Sequence, residues 1–218
     1  VEWLVSFVHD PEYGIFGKIK LFTNPLLLVQ LSIVVFGTFA FIGALLRKTQ
    51  FGQAFGDFIF PFAPGFSLQQ ATPGSQVLFS IYGSPAENGW LWIVMALVIS
   101  AQMLVIGKLG LPKKWWYVGL IIPNSLLFAE IWRRIHVVVS GADQIQQLGH
   151  FIFGFRISFM TQITGSVIPG EVDHVVNNLF RKILELFGSE IMILLFGLIM
   201  VVALIGLIVS YVIIKGKD

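Results

Sequence analysis

Long stretches without any ionisable side chain limit what this sequence can fold into. Four of them stand out, at residues 21–46, 88–107, 115–129 and 191–214. An α-helix rises about 1.5 Å per residue and the hydrocarbon layer of a bilayer is about 30 Å thick, so roughly 20 apolar residues cross it. The third stretch is shorter but can be extended. The pattern predicts an all-α fold, a polytopic bundle of transmembrane helices.

Composition supports this class and excludes others. Charged residues make up 12% of the 218 residues and apolar residues 56%, whereas soluble domains carry about 25% charged residues. A net charge of +2 without a basic cluster argues against nucleic acid as a partner. The absence of cysteine excludes disulfides, thiolate metal ligands and covalently attached haem. We expect the lipid bilayer to be the main partner.

The spacing of apolar and helix-breaking residues predicts one integral membrane domain, residues 1–218, with five to six spans. Proline and glycine interrupt the uncharged region between residues 58 and 86, which favours a loop there. Trp3 and Phe7 are typical anchors of a helix lying in the interface. The predicted segments are an interfacial helix (1–20), a span (21–47), an irregular or dipping loop (49–87), three spans (88–108, 115–139 and 144–163), an amphipathic or spanning helix (167–187) and a last span (189–215).

Lysine positions predict the orientation of this multi-pass chain. Lys108, Lys113 and Lys114 lie in one short loop, followed directly by aromatic residues. Short loops rich in lysine stay on the cytoplasmic side. Lys215 and Lys217 follow the last apolar stretch. We therefore predict that loop 108–114 and the C-terminus are cytoplasmic, and the direction of the first span stays open.

Polar residues between 123 and 187 are the candidates for function, because polar groups at membrane depth are costly and need partners. Glu130 and Arg134 are four residues apart, so they can form an ion pair on one helix face. His174 and Asn178 lie on the polar face of the amphipathic segment. That face either meets water at the interface or lies at membrane depth, where it could polarise a carbonyl or hold a water.

Cofactor and metal sites are the weaker alternatives for the histidines. His136 and His150 are fourteen residues apart, as in two-haem helices, but only His174 is left as a matching histidine on a second helix. His136, His150, His174 and Glu130 could supply zinc ligands, although their spacing fits no recognised zinc motif. The sequence therefore predicts neither a cofactor nor a metal ion.

Several motifs resemble those of one family of membrane enzymes. Thr164-Gly165-Ser166, Pro169 and then His174-Val-Val-Asn177-Asn178 resemble the last motif of the CPBP family, the CAAX protease and bacteriocin-processing intramembrane proteases. The segment from Asn124 to Ala129 is similar to the family's Phe-x-x-x-His helix. The resemblance covers roughly residues 108–180, and it implies a metal-independent peptidase.

The chain departs from the family pattern at two motifs, and this leaves two alignments open. Four residues after Phe128 stands Trp132 instead of histidine, and the Glu-Glu-x-x-x-Arg motif is absent. One alignment places Glu87 at the acidic position, without the arginine. The other uses Glu130 with Arg134. The second alignment implies that Glu130 and His150 activate a water, and that His174 and Asn178 form the oxyanion site.

Three functions follow from these patterns. The chain is a non-catalytic or scaffold subunit of a membrane assembly with other membrane protein subunits, an active CPBP-type endopeptidase acting on a membrane-embedded peptide, or a small transporter or cofactor-binding subunit. The missing acid pair and Trp132 favour the first function, and the concentration of Glu130, His150, His174 and Asn178 favours the second. The peptidase further predicts that Glu130, His150 and His174 converge on one water.

Overall fold

The computed structural model describes residues 23–47, 49–50, 53, 72–140 and 144–216. Within them lie five α-helices: α1 (Pro25–Leu46), α2 (Pro73–Lys108), α3 (Lys113–Ser140), α4 (Gln144–Thr164) and α5 (Ile168–Lys215). The predicted all-α fold is confirmed for this part of the chain. The predicted interfacial helix over residues 1–20, and residues 54–71 of the predicted loop, lie outside the described residues.

Three of the five described helices, α1, α2 and α5, are long and apolar enough to cross a membrane. The chain is thus a helical membrane protein, with fewer such helices than the five to six spans predicted. The difference arises in the middle of the chain. Helix α3 carries Glu130 and two arginines, and α4 carries Arg156 and several glutamines, so their apolar character is interrupted.

Helix α2 starts earlier than the sequence predicts. It begins at Pro73, after the Thr72 side chain that caps it, so residues 73–87 are helical and the loop predicted there is wrong. Pro85 lies inside the helix. The hydroxyls of Ser80 and Ser84 bond carbonyls one turn back, at 3.0 and 3.1 Å. Proline is tolerated in membrane helices because hydroxyl side chains and neighbouring helices compensate for its lost hydrogen bond.

Helix α5 folds back on itself at Gly188. This residue has φ 80° and ψ 177°, a conformation open to glycine but not to other residues without strain. The ring centroids of Phe180 and Phe196 are 6.0 Å apart, whereas sixteen residues of straight helix would separate them by about 24 Å. Residues 168–187 and 189–215 are therefore two antiparallel arms, which we call the first and second arm.

Helix α1 packs along the second arm in the opposite direction. Gln30 donates to the Ser210 hydroxyl at 3.2 Å, and the Thr38 hydroxyl lies 3.1 Å from the sulfur of Met200. Small residues of α1 allow the close approach that helices in lipid need. The core between α1 and both arms consists of Phe36, Ala40, Ala44, Val176, Phe180, Ile183, Met192 and Phe196.

Helices α3 and α4 form an antiparallel hairpin joined to α2 by amide side chains. Gln102 and Asn124 exchange two hydrogen bonds of 2.9 and 3.0 Å, and Gln162 donates to Ser125 at 3.0 Å. The Tyr117 hydroxyl donates to the Gln162 carbonyl at 3.0 Å. Because buried amides are costly unless they are bonded, this network fixes the register of the hairpin against α2.

Candidate functional site

The polar residues of α2 meet those of the first arm where the two helices cross. Asn178 donates to the Ser84 hydroxyl at 3.0 Å, and Trp92 Nε1 donates to Glu171. The later α2 residue, Trp92, contacts the earlier α5 residue, Glu171, so the two helices run antiparallel. The crossing brings side chains from two distant parts of the sequence into one buried cluster.

His174 lies at the centre of this crossing with both ring nitrogens engaged. Its Nδ1 is 3.0 Å from the amide oxygen of Asn88, and its Nε2 is 3.3 Å from Oε2 of Glu87. An amide oxygen only accepts, so Nδ1 carries a proton. An unprotonated Nε2 and a carboxylate oxygen would face each other with lone pairs. The Glu87–His174 contact is therefore favourable when one proton lies between the two groups.

Exposure differs sharply within this pair. The Glu87 side chain is 38% exposed, whereas that of His174 is 4% exposed. One carboxylate thus reaches the surface of the bundle while its imidazole partner is buried. The pair can take a proton from a bound molecule and deliver it back, which is what general acid–base chemistry requires.

Aromatic side chains from α3 and α4 form the opposite wall. The rings of Trp132 and Phe153 contact His174 edge-on, with centroids 5.5 and 5.2 Å away. Gly154 makes this wall possible, because a Cβ there would lie 2.7 Å from the Trp132 Cβ and 3.1 Å from the Ala129 Cα. The backbone of α4 at Gly154 therefore packs directly against the Trp132 side chain of α3, at the level of His174.

An ion pair ties α4 to the first arm beside the cluster. Arg156 donates to both oxygens of Asp173, at 2.6 and 2.9 Å, and its guanidinium lies 5.3 Å from the Phe153 ring centroid. The Asp173 side chain is 1% exposed. A two-bond geometry is the strong form of this interaction. It holds the residue next to His174 in place.

The structure pairs Glu130, the predicted water-activating residue, with two arginines of its own helix. Its carboxylate accepts from Arg133 and Arg134 at 2.7 Å, and its side chain is 35% exposed. Arg133 also donates to Gln147 at 2.8 Å. These contacts are the internal ion pair that the i, i+4 spacing predicted as an alternative. The predicted convergence of Glu130 with the histidines is therefore replaced by local pairing.

His150 is buried, and its ring stacks on the ring of His136. The two imidazole centroids are 4.4 Å apart, and His136 in turn lies 4.4 Å from the Trp132 ring. A continuous series of rings thus connects His150 to His174 through Trp132. Two rings, those of His136 and Trp132, lie between His150 and His174 in this series.

Asn178 lies one helical turn beyond His174 and its amide has partners. The nitrogen donates to Ser84, and the oxygen accepts from Asn177 at 3.4 Å. Of the four site residues predicted, the structure therefore brings His174 and Asn178 to the crossing. It leaves Glu130 on the flank of α3 and His150 behind the aromatic wall.

Two polar residues of the cluster were missed in the sequence: Ser84 and Asn88. Ser84 and Asn88 stand four residues apart, followed by Trp92 after four more. This spacing is helical, but it falls around Pro85, where the sequence predicts a loop. If the segment had been interpreted as one continuous helix, the four-residue spacing of Ser84 and Asn88 would have indicated a helix face directed toward other polar side chains.

The described part of the chain contains no set of side chains arranged as metal ligands. There, no group of three or more histidine, aspartate or glutamate side chains is arranged to hold a metal ion. The cluster combines the carboxylates of Glu87 and Glu171 with an imidazole and amides, which are groups suited to moving protons and donating hydrogen bonds.

Comparison with known proteins gives no further guidance, since no family model, curated protein or solved structure matches this chain.

Proposed function

We propose that this chain is an intramembrane endopeptidase of the CPBP type in which Glu87 activates a water and His174 shares its proton. The observation that carries the proposal is the 3.3 Å contact between Glu87 Oε2 and His174 Nε2. Ionisable residues inside membrane bundles are expensive and mark functional sites. The sequence motif around His174 and Asn178 supplies the substrate class, a membrane-embedded peptide.

Peptide hydrolysis at this pair needs a base that takes a proton from water, a group that holds this proton, and an acid that gives a proton to the leaving amine nitrogen. The Glu87 carboxylate takes a proton from water as the water oxygen forms a bond to the peptide carbonyl carbon. His174, held by Asn88 through Nδ1, stabilises the charge on Glu87. The carbon–nitrogen bond then breaks, its electron pair stays on nitrogen, and nitrogen receives the proton from Glu87. The products are a carboxylic acid and an amine.

The proposal includes a membrane arrangement. Helices α3 and α4 cross the bilayer beside α1, α2 and the two arms of α5, with their polar residues turned inward to one another and to α2. Support comes from the Gln102, Asn124 and Gln162 amides, which bond each other across three helices. Loop 108–114 and the C-terminus lie in the cytoplasm, as the lysines indicate.

The test is a cleavage assay on the chain in lipid nanodiscs, with a pool of fluorescence-quenched peptides that carry an acyl anchor. Glu87→Gln and His174→Ala should each lower the cleavage rate by roughly 10²–10⁴-fold, the usual contribution of acid–base groups. Glu130→Gln is the matched control, because its partners are the two arginines of its own helix. Full activity of Glu87→Gln, loss in Glu130→Gln, or no cleavage by the native chain would contradict the proposal.

A second candidate function is that of a non-catalytic subunit of a membrane assembly, and two other observations favour it. Trp132 occupies the position where the family motif has a histidine, and the Asn178 nitrogen is used by Ser84. The second arm also exposes many apolar side chains, including Leu194, Val202 and Val212. These can face either lipid or another subunit. This candidate predicts co-purification of a stable complex that persists in the Glu87→Gln variant.

A further inference from the structure

Trp132 carries a hydrogen-bond donor that its surroundings leave unused. Its side chain is 2% exposed, and within the described residues its Nε1 is buried and has no acceptor. Trp92, on the other side of the cluster, provides the contrast because its Nε1 donates to Glu171. A buried donor without an acceptor costs free energy, so such a group calls for an explanation.

The position of the indole is fixed by its neighbours. The ring contacts His136, Phe153 and His174, at centroid distances of 4.4, 5.7 and 5.5 Å. Gly154 presses against the root of the side chain, where any Cβ would come within 2.7 Å of the Trp132 Cβ. The ring that carries the donor is therefore held in place against the His174 imidazole.

The proposed hydrolysis needs a donor at this wall. When water adds to a peptide carbonyl, the carbon–oxygen π pair moves to oxygen, and the oxyanion needs a hydrogen bond in a place without bulk water. Four other donors of the cluster already have acceptors, whereas the side-chain nitrogen of Asn88, like that of Trp132, is buried without one among the described residues. The four donors and their acceptors are His174 Nδ1 with Asn88, Asn178 Nδ2 with Ser84, Trp92 Nε1 with Glu171 and Arg156 with Asp173.

We infer that the Trp132 indole N–H is a catalytic group that donates a hydrogen bond to the substrate's carbonyl oxygen and to the oxyanion formed from it. The inference rests on the proposed peptidase function and adds a residue to it. The oxyanion collapses when the carbon–nitrogen bond breaks, and the carbonyl is restored in the acid product. The indole keeps its proton throughout, so Trp132 acts by charge stabilisation while Glu87 and His174 move protons.

The test removes the donor and keeps the ring. Trp132→Phe and, as a closer isostere, replacement of Trp132 by benzothienylalanine are compared with the native chain in the same peptide cleavage assay. Both should lower kcat by roughly 10²–10³-fold, the usual loss for one oxyanion donor, with little change in KM. Trp115→Phe is the control, because this tryptophan is on the same helix and 73% exposed.

A second readout separates catalysis from packing. A phosphinic peptide with the cleaved sequence imitates the tetrahedral intermediate, and both Trp132 variants should bind it at least 10-fold more weakly while binding the uncleaved peptide as before. Retained kcat and inhibitor affinity in the benzothienylalanine chain overturn the inference, even if Trp132→Phe fails to fold. If Glu87→Gln is inactive and the Trp132 variants are fully active, only this inference falls. If Glu87→Gln is active, the proposed function falls and this inference with it.

Discussion

Glu87 on α2 and His174 on α5 contact each other where the two helices cross, with Oε2 and Nε2 3.3 Å apart. The helices that carry them run antiparallel, and Asn88, the residue after Glu87, holds the other ring nitrogen. Two consecutive residues of one helix thus fix both sides of a single imidazole. Each expectation below depends on this crossing or on the walls that support it.

Cross-linking should report the direction of the crossing. The chain has no cysteine, so introduced pairs give a clean background. Because the Asn178 nitrogen lies 3.0 Å from the Ser84 hydroxyl, the pair Ser84→Cys with Asn178→Cys should cross-link in membranes with a short bifunctional thiol reagent. The pair Ser84→Cys with Glu171→Cys should stay uncoupled. The reverse preference would mean that α2 and the first arm are parallel.

Substitution of Gly154 should destabilise the bundle. The Gly154→Ala methyl would lie 2.7 Å from the Trp132 Cβ, and overpacking of this kind costs about 1–3 kcal/mol. Gly119→Ala is the matched control on the facing helix, since nothing lies within 4 Å of a Cβ there. Reversible unfolding in mixed micelles measures both variants. Equal stability of Gly154→Ala and Gly119→Ala would contradict the close approach of α3 and α4.

Removal of Asp173, the partner of Arg156, should lower the free energy of unfolding more than removal of one partner of a surface ion pair. Asp173→Ala leaves the Arg156 guanidinium, whose side chain is 23% exposed, without its buried carboxylate partner, and breaking a buried pair costs up to about 3–5 kcal/mol. The Lys182–Glu185 pair has a carboxylate that is 53% exposed, so Glu185→Ala should cost about 0–1 kcal/mol. Thermal unfolding in detergent compares the two. A similar small cost for both variants would show that Asp173 does not anchor α4 to the first arm.

Side-specific labelling should show the orientation of α3. Leu109 and Val138 are exposed near its opposite ends. In sealed inverted vesicles, whose outer face is cytoplasmic, a membrane-impermeant maleimide should label Leu109→Cys and spare Val138→Cys. In right-side-out vesicles the labelling should be exchanged. Labelling of both positions from one side would place α3 in the interface and remove it from the set of spans.

The fold class could be predicted from sequence because lipid leaves little choice. Long uncharged stretches such as residues 191–214 must be helical to satisfy their backbone. The same reasoning failed at Pro85. Proline ends most helices in water, but here α2 passes through it while Ser80 and Ser84 bond carbonyls of the same helix. Residues 73–87 are helical, so proline by itself does not mark a helix end in this chain.

The candidate site was only partly predictable because its acid partner depends on tertiary structure. Glu130 has arginines three and four residues away, and a local spacing of this kind is visible in the sequence. Glu87 meets His174 only because α2 crosses the first arm at one particular register. One of the two alignments named Glu87 as the acidic candidate, but its spacing in the sequence does not reveal that register. Local pairs can therefore be predicted from the sequence, whereas pairs across helices require the packing.

The most direct test of the central claim is the nitrogen resonance of His174 in the chain reconstituted in lipid. With ¹⁵N-labelled histidine, the Nε2 signal of His174 should shift when Glu87→Gln removes the carboxylate that lies 3.3 Å away. It should stay in place in Glu130→Gln, whose carboxylate is bound to Arg133 and Arg134. An Nε2 signal that ignores Glu87→Gln, or that moves with Glu130→Gln, would contradict the pairing of Glu87 with His174.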